Sequence, residues 1–236
     1  MTSVFHLIFV SLLFFTTSIF AHSSTPLELA SLASQRAALK PSSKTQGPLI
    51  VLDAGHGGTD EGAKVRHLQE KKITLLTALY TKKKLEGLGY RVLLTRIKDT
   101  YISLPKRVSI ANQTNSALFV SIHCNAAHNH LAQGLEIYYC KAGDSTRSLS
   151  SSALADSILR QIIQETGCTS RGVKLGRFHV IRETTMPAIL IEIGFLTNYD
   201  EWASMRKKSY LEQMANGIAL GVDTFIKSKK NVLGAS

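Results

Sequence analysis

Two histidines and two glutamates stand where apolar runs meet polar or glycine-rich sequence. His56 follows Val51-Leu-Asp-Ala-Gly55 and precedes Gly57-Gly58, Glu70 opens a helix-forming stretch, His123 closes the run Ala117-Leu-Phe-Val-Ser-Ile122, and Glu192 lies within Pro187-Ala-Ile-Leu-Ile-Glu-Ile193. Two imidazoles and one carboxylate are the protein ligands of an open catalytic zinc site, which keeps its fourth position for water. His56, Glu70 and His123 are too far apart in sequence for one helix to present them, so the fold has to assemble them. Glu192 is of another kind. A carboxylate inside a central strand is costly to bury, and an unligated one beside a metal can carry a proton.

A second chemistry is written in Ser103-Leu-Pro-Lys106, which matches the S-x-x-K element of serine acyl enzymes. Ser204-Met-Arg-Lys207 matches it too, and no clear K-T-G or S-D-N companion is present. The element by itself carries little.

The residues that must position these groups read as alternating strands and helices. Strands are expected at Leu49–Ala54, Tyr90–Thr95, Ala117–His123, Gly134–Cys140, Phe178–Arg182 and Pro187–Ile193. Helices are expected at Glu70–Leu85 with Ile73, Leu76, Leu79 and Tyr80 inward, at Leu104–Asn115 with Leu104, Val108 and Ala111 inward, and at Ser148–Thr166 and Lys207–Lys227. Arg171-Gly-Val-Lys174 reads as the approach to a strand, and Lys71-Lys72 with Lys82-Lys83-Lys84 as a solvated helix face. The pattern predicts an α/β fold, a mainly parallel sheet of about six strands with helices on both faces. His56, Glu70 and His123 then fall on the carboxyl edge of the sheet, where open sheets bind their ligands. His67, His128, His130 and His179 are expected to be peripheral.

The 236 residues suit one domain with short ends. Apart from His6, Val4 to Phe20 is apolar or hydroxylated and ends in Ala21-His-Ser23, so residues 1–23 read as a secretory signal cleaved after Ser23 or Ala21. Residues 24–47 form a linker with one short helix, 48–228 the functional domain and 229–236 a tail. The formal charge of +11 lies entirely beyond the signal. In an exported protein it suits an anionic polymer or envelope surface, not nucleic acid. Cys124, Cys140 and Cys168 are an odd count without a C-x-x-C element, and Cys124 and Cys140 read as buried thiols at strand ends.

Asp53-x-Gly-His-Gly-Gly58, Glu70-Lys71, Leu94-Thr-Arg96, Ser121-Ile-His-x-Asn125 and Glu192-Ile-Gly-Phe-Leu-Thr-Asn198 together resemble the zinc-dependent N-acetylmuramoyl-L-alanine amidases of bacterial peptidoglycan, from about Leu49 to Ile226. The resemblance implies Zn2+ on His56, Glu70 and His123, Glu192 as the catalytic carboxylate, and peptidoglycan as substrate. The bond cleaved would be the amide between the lactyl group of N-acetylmuramic acid and L-alanine. Ala54 departs from a common Pro and Cys124 from a usual Ala, neither at a proposed ligand. Arg171-Gly-Val-Lys174 and Arg182-Glu-x-x-Met-Pro187 also resemble family segments, without a clear role.

The resemblance further implies a monomer in the periplasm or cell envelope, with envelope or division-associated proteins as possible partners. Many envelope members carry an inserted helix, after the strand equivalent to Gly134–Cys140, that blocks the zinc until an activator displaces it. Here only Lys141 to Arg147 follows that strand, so an open site is expected. The rival reading, a wall-binding module that has lost its chemistry, should lack a ligand or the carboxylate, and all four residues are present.

Overall fold

The computed structural model describes residues 47–142 and 144–234, with side chains up to Lys229. The proposed leader, the linker and their short helix lie outside the described residues. Eight strands are β1 (Leu49–Ala54), β2 (Lys64–Val65), β3 (Leu68–Gln69), β4 (Arg91–Leu94), β5 (Ser116–Asn125), β6 (Leu135–Tyr139), β7 (Ser170–Leu175) and β8 (Ala188–Phe195). Among the described residues six helices are α1 (Glu70–Gly87), α2 (Leu104–Asn112), α3 (Ser145–Thr166), α4 (His179–Glu183), α5 (Tyr199–Met205) and α6 (Lys208–Gly234). Six strands form one sheet in the order β4-β1-β5-β8-β6-β7, and β2 and β3 make a separate small ribbon. The pairs β4–β1, β1–β5 and β5–β8 are parallel, whereas β6 runs antiparallel to β8 and β7 follows β6 in parallel.

Alternation along the buried strands sorts the core into two layers. Ile50, Leu52, Val120, Ile122, Ile189 and Ile191 face α1, α3 and α6, whereas Leu49, Val51, Phe119, Ala188 and Leu190 face α2 and α4. The expected sheet with helices on both faces is therefore present. Phe178–Arg182 departs from expectation and is helix α4. Its neighbours Val180 and Ile181 are both buried in the same layer, which a strand's alternation forbids. The sixth strand is instead β7, which contains Arg171-Gly-Val-Lys174. The terminal helix also runs past Lys227 to Gly234.

The inner face of α1 differs from the apolar stripe expected. Leu76 is exposed, while Thr74, Thr77 and Thr81 are buried. Thr77 and Thr81 donate their hydroxyls to the carbonyls of Ile73 (2.9 Å) and Thr77 (2.8 Å), so they enter the core without an unmet polar group. Leu104, at the exposed start of α2, likewise points to solvent.

Beneath the carboxyl end of β1 a polar network replaces apolar packing. Asp53 is fully buried and accepts from Arg107 Nη1, Thr95 Oγ1 and Ser121 Oγ, each at 2.7 Å. Arg107 also donates to the carbonyls of Ala54 (2.6 Å), His56 (2.8 Å) and Ile102 (2.9 Å). Arg96 donates to Ala54 O (2.9 Å), Gly55 O (2.8 Å) and Lys71 O (2.8 Å). Two arginines thus satisfy three successive carbonyls as the chain leaves the sheet, which fixes the turn carrying His56.

Asp53→Asn leaves the Arg107 charge buried without its counter-ion, and the expected loss of stability at pH 7 is about 3–5 kcal/mol, measured by urea unfolding. Burial alone would raise the Asp53 carboxyl. The Arg107 charge and the bonds from Thr95 and Arg107 outweigh it and hold the group below the usual range. Its contribution is therefore full above the unfolded value, near pH 4, and is lost as pH falls through the folded value. The gap between wild type and variant should shrink across that acid limb, and a gap independent of pH would contradict the assignment.

Candidate metal centre

His56 occupies the left-handed region at φ +59°, unusual for a residue other than glycine. Such a conformation costs about 1–3 kcal/mol and persists where its surroundings dictate it; here the grip of Arg107 on the His56 carbonyl supplies that constraint. Lys71 and Asp99 complete the hold on the loop. Lys71 Nζ donates to Gly58 O (2.7 Å) and Asp99 Oδ2 (2.9 Å), and Asp99 Oδ1 accepts from Gly58 N (2.7 Å). Lys71 is buried, a correction to its reading as part of a wet face.

Glu70, at the start of α1, reaches across to both imidazoles. Its Oε1 stands 3.1 Å from His56 Nε2 and 3.0 Å from His123 Nδ1. Backbone amides fix the carboxylate, Cys124 N on Oε1 (2.9 Å) and Ala63 N on Oε2 (2.8 Å). One ligand atom from each of the three residues lies within 4.8 Å of the others. A tetrahedral shell with bonds of about 2.0–2.1 Å has edges near 3.3 Å, so the spacing of these donors fits a small divalent metal.

The other ring nitrogen of His56, Nδ1, stands 2.8 Å from Asp60 Oδ2 but without hydrogen-bond geometry, an electrostatic contact. Imidazoles that bind metals commonly turn their second nitrogen toward a carboxylate in this way. Burial opposes ionisation of Glu70, yet the bonds from His123 and His56 override it and hold the carboxyl well below its ordinary range. Burial likewise lowers His56, but contact with Glu70 and then Asp60 raises it on balance.

Glu192 pairs in register with His123 on β5 and with Glu136 on β6. Its Oε2 is sealed from solvent and has no hydrogen-bond partner. Burial first, then the like charges of Glu70 and Glu136, push its carboxyl well above the ordinary range. Glu136 is the opposite case, because Lys174, Tyr138 and Arg171 overcome its burial and hold it low.

All four residues singled out from the sequence thus share one edge, and His67, His128, His130 and His179 do not join the cluster. Among the described residues Ser103 makes no hydrogen bond through its side chain to Lys106, and it serves as the extended residue before α2. The three cysteines are free, with Cys124 and Cys140 buried. Sequence reasoning passed over Asp60, Arg107 and Glu136, and it noted Arg96 only as part of a motif, without a role. Asp60, four residues after His56 in a glycine-rich loop, had a usable signal.

The topology also corrects the argument for an open site. Because β6 is reversed, its carboxyl end pairs Tyr139 with Ile189 near the start of β8, away from the cluster. The short β6–α3 connection therefore does not border the site. The β5–β6 connection, residues 126–134, does; it contains no helix and only an Ala132 N→Asn129 O turn.

The family model described as N-acetylmuramoyl-L-alanine amidase matches residues 50–224. The chain is 36% identical over 185 residues to the N-acetylmuramoyl-L-alanine amidase CwlM of Bacillus licheniformis, covering 77% of this chain and 70% of that protein. It is 36% identical over 184 residues to the sporulation-specific N-acetylmuramoyl-L-alanine amidase of Bacillus subtilis, covering 77% and 69%. Among solved structures, the catalytic domain of CwlV from Bacillus (Paenibacillus) polymyxa superposes with a TM-score of 0.71 at 37% identity, over 76% of this chain and 98% of that one. An N-acetylmuramoyl-L-alanine amidase from Clostridium difficile gives 0.74 at 35%, over 78% and 100%. The chain therefore belongs to the N-acetylmuramoyl-L-alanine amidase family, enzymes of peptidoglycan hydrolysis.

Gly55 packs directly beneath the cluster. A Cβ there would lie 2.4 Å from His123 Cε1 and 2.5 Å from Nε2, so the ring would have to move. Gly55→Ala should lower the affinity for a divalent metal about 10- to 100-fold, read by competition titration with a chromogenic chelator. Unchanged affinity would show that the His123 ring is not held in place for a metal.

Proposed function

We propose that His56, Glu70 and His123 hold a zinc ion and that Glu192 is the general acid/base of a peptidoglycan amidase, which hydrolyses the bond between N-acetylmuramic acid and the L-alanine of the stem peptide. Zinc bound there supplies an acidified water and a Lewis acid for the scissile carbonyl. Glu70 contributes negative charge and is held by the amides of Ala63 and Cys124, so the ligand set is preorganised. Glu192 takes the proton of the attacking water and returns it to the leaving amine of L-alanine. The observation that carries this role is the Glu192 Oε2 beside the cluster, an oxygen sealed from solvent and partnerless on a half-buried side chain.

The substrate places the enzyme outside the cytoplasm, and residues 1–23 are the proposed means of export to the periplasm or envelope. Among the described residues no helix is long and apolar enough to cross a membrane. One relative of known structure, the CwlD amidase of Clostridioides difficile at 28% identity, was solved in complex with the GerS lipoprotein. An envelope partner of that kind is compatible with this chain, but blockage by an inserted helix is not favoured, since the nine residues 126–134 beside the cleft are fewer than a stable helix and its linkers require.

His56→Ala and His123→Ala are expected to lose both zinc and activity, and chelation should abolish hydrolysis that zinc restores. Full activity in verified metal-free protein would overturn the assignment. Glu192→Gln should keep its zinc and fold while turnover falls about 10²- to 10⁴-fold; wild-type turnover in that variant would make Glu192 structural. The purified mature protein should release stem peptides from peptidoglycan without any partner, as chromatography of the digest would report. Activity that appeared only on adding a partner would contradict the open site.

A further inference from the structure

Glu136 lies directly across the strand pair from Glu192, so the two side chains leave the same face with Cβ atoms about 4.5–5.5 Å apart. Its buried carboxylate is saturated by four donors. Tyr138 Oη (2.6 Å) and Asn125 Nδ2 (3.0 Å) donate to Oε2, and Arg171 Nε and Lys174 Nζ (2.7 Å) donate to Oε1. Arg171 and Lys174 are three residues apart, and in a regular strand they would face opposite sides. They do not, because β7 carries a bulge. Leu135 pairs with Ser170 but Ile137 pairs with Val173, and the extra residue is absorbed around Gly172 at φ +84°. Bulges re-aim side chains beside active sites in this manner.

Two cations converge on Glu136, and Arg171 also faces Glu201, whose carboxylate is held by the amides of Gly134 and Phe195. Arg171 is the more accessible, its side chain 41% exposed against 35% for Lys174. Its guanidinium lies 5.3 Å over the ring of Phe195, three residues beyond Glu192 on β8. Held at Nε by Glu136 and on its face by Phe195, it has no hydrogen-bond partner for Nη1 or Nη2 among the described residues. A fixed, planar fork with two free donors is shaped for bidentate contact with a carboxylate. On the glycan side of the scissile bond the muramic carboxyl is consumed in the amide, whereas the peptide side retains carboxylates. We propose that Arg171, backed by Lys174, binds a carboxylate of the stem peptide and so sets a preference for peptides with a free acid close to the scissile bond. The proposal rests on the amidase reading above.

The test uses the full-length mature, zinc-loaded protein and two soluble muramoyl peptides that differ only in the carboxylate of the second residue, free or amidated. Wild type should cleave the free acid with a kcat/KM about 10- to 100-fold higher, mainly through KM. Arg171→Gln should bring the ratio of the two kcat/KM values close to one, with the larger loss on the free acid, and Arg171→Lys should restore part of the ratio. Lys174→Gln should narrow the ratio by a smaller factor, and it reads the same ratio if Arg171→Gln does not fold. Equal cleavage of both peptides by wild type, or an equal loss on both in Arg171→Gln, would overturn the proposal. Cleavage of neither peptide by wild type would instead overturn the amidase reading, and the proposal with it.

Discussion

The ion pair between Asp53 and Arg107 is the interaction on which the site depends. Both partners are buried, and the carboxylate is further satisfied by Thr95, just past the end of β4, and by Ser121 from β5. A buried pair of this kind is a poor source of net stability, because desolvation offsets much of the attraction. Its value here is positional. Arg107 comes from α2 and spends its remaining donors on carbonyls of the turn, including that of His56, whose backbone is strained. An apolar core could pack beneath this turn, but it could not satisfy those carbonyls.

The site is therefore a meeting of two mechanical systems. The parallel strands β1, β5 and β8 deliver His56, His123 and Glu192 to neighbouring points, and this part is rigid because both faces are covered. The loop leading to α1 brings Glu70 back over them, where the amide of Ala63 from that loop and the amide of Cys124 from β5 donate to the carboxylate. Charges of one sign are then concentrated in a small volume, with Glu70, Glu136 and Glu192 together. Glu70 and Glu136 are stabilised as anions by their own donors, and Glu192 alone is left without compensation. That inequality is what the proton-exchanging role proposed for Glu192 requires.

Much of this was legible from residue types alone, and the failures have physical causes. The strand ends carrying His56 and His123 were visible because continuous apolar runs stop abruptly there. β7 was missed because Gly172 interrupts its period and the strand lies at the polar edge of the sheet. α4 was mistaken for a strand because five residues with paired valine and isoleucine do not distinguish the two periods. The inner face of α1 was misjudged because threonine satisfied by its own helix carries no hydrophobic signal. Lys71 looked like a solvent-facing charge, and Glu136 carried no signal of its own within its strand. Only the third dimension reveals that each has partners contributed from distant parts of the chain.

The reversal of β6 and β7 gives the sheet two edges of different character. Chain entering β6 passes the cleft, whereas chain leaving it emerges at the opposite side, one strand length away, about 17 Å for five residues. The exposed Lys141, just beyond the end of β6, is consequently a natural point of attachment. A fluorophore, an affinity handle or a whole wall-anchoring module grafted there would ride on the back of the molecule while the cleft remained free to approach the polymer.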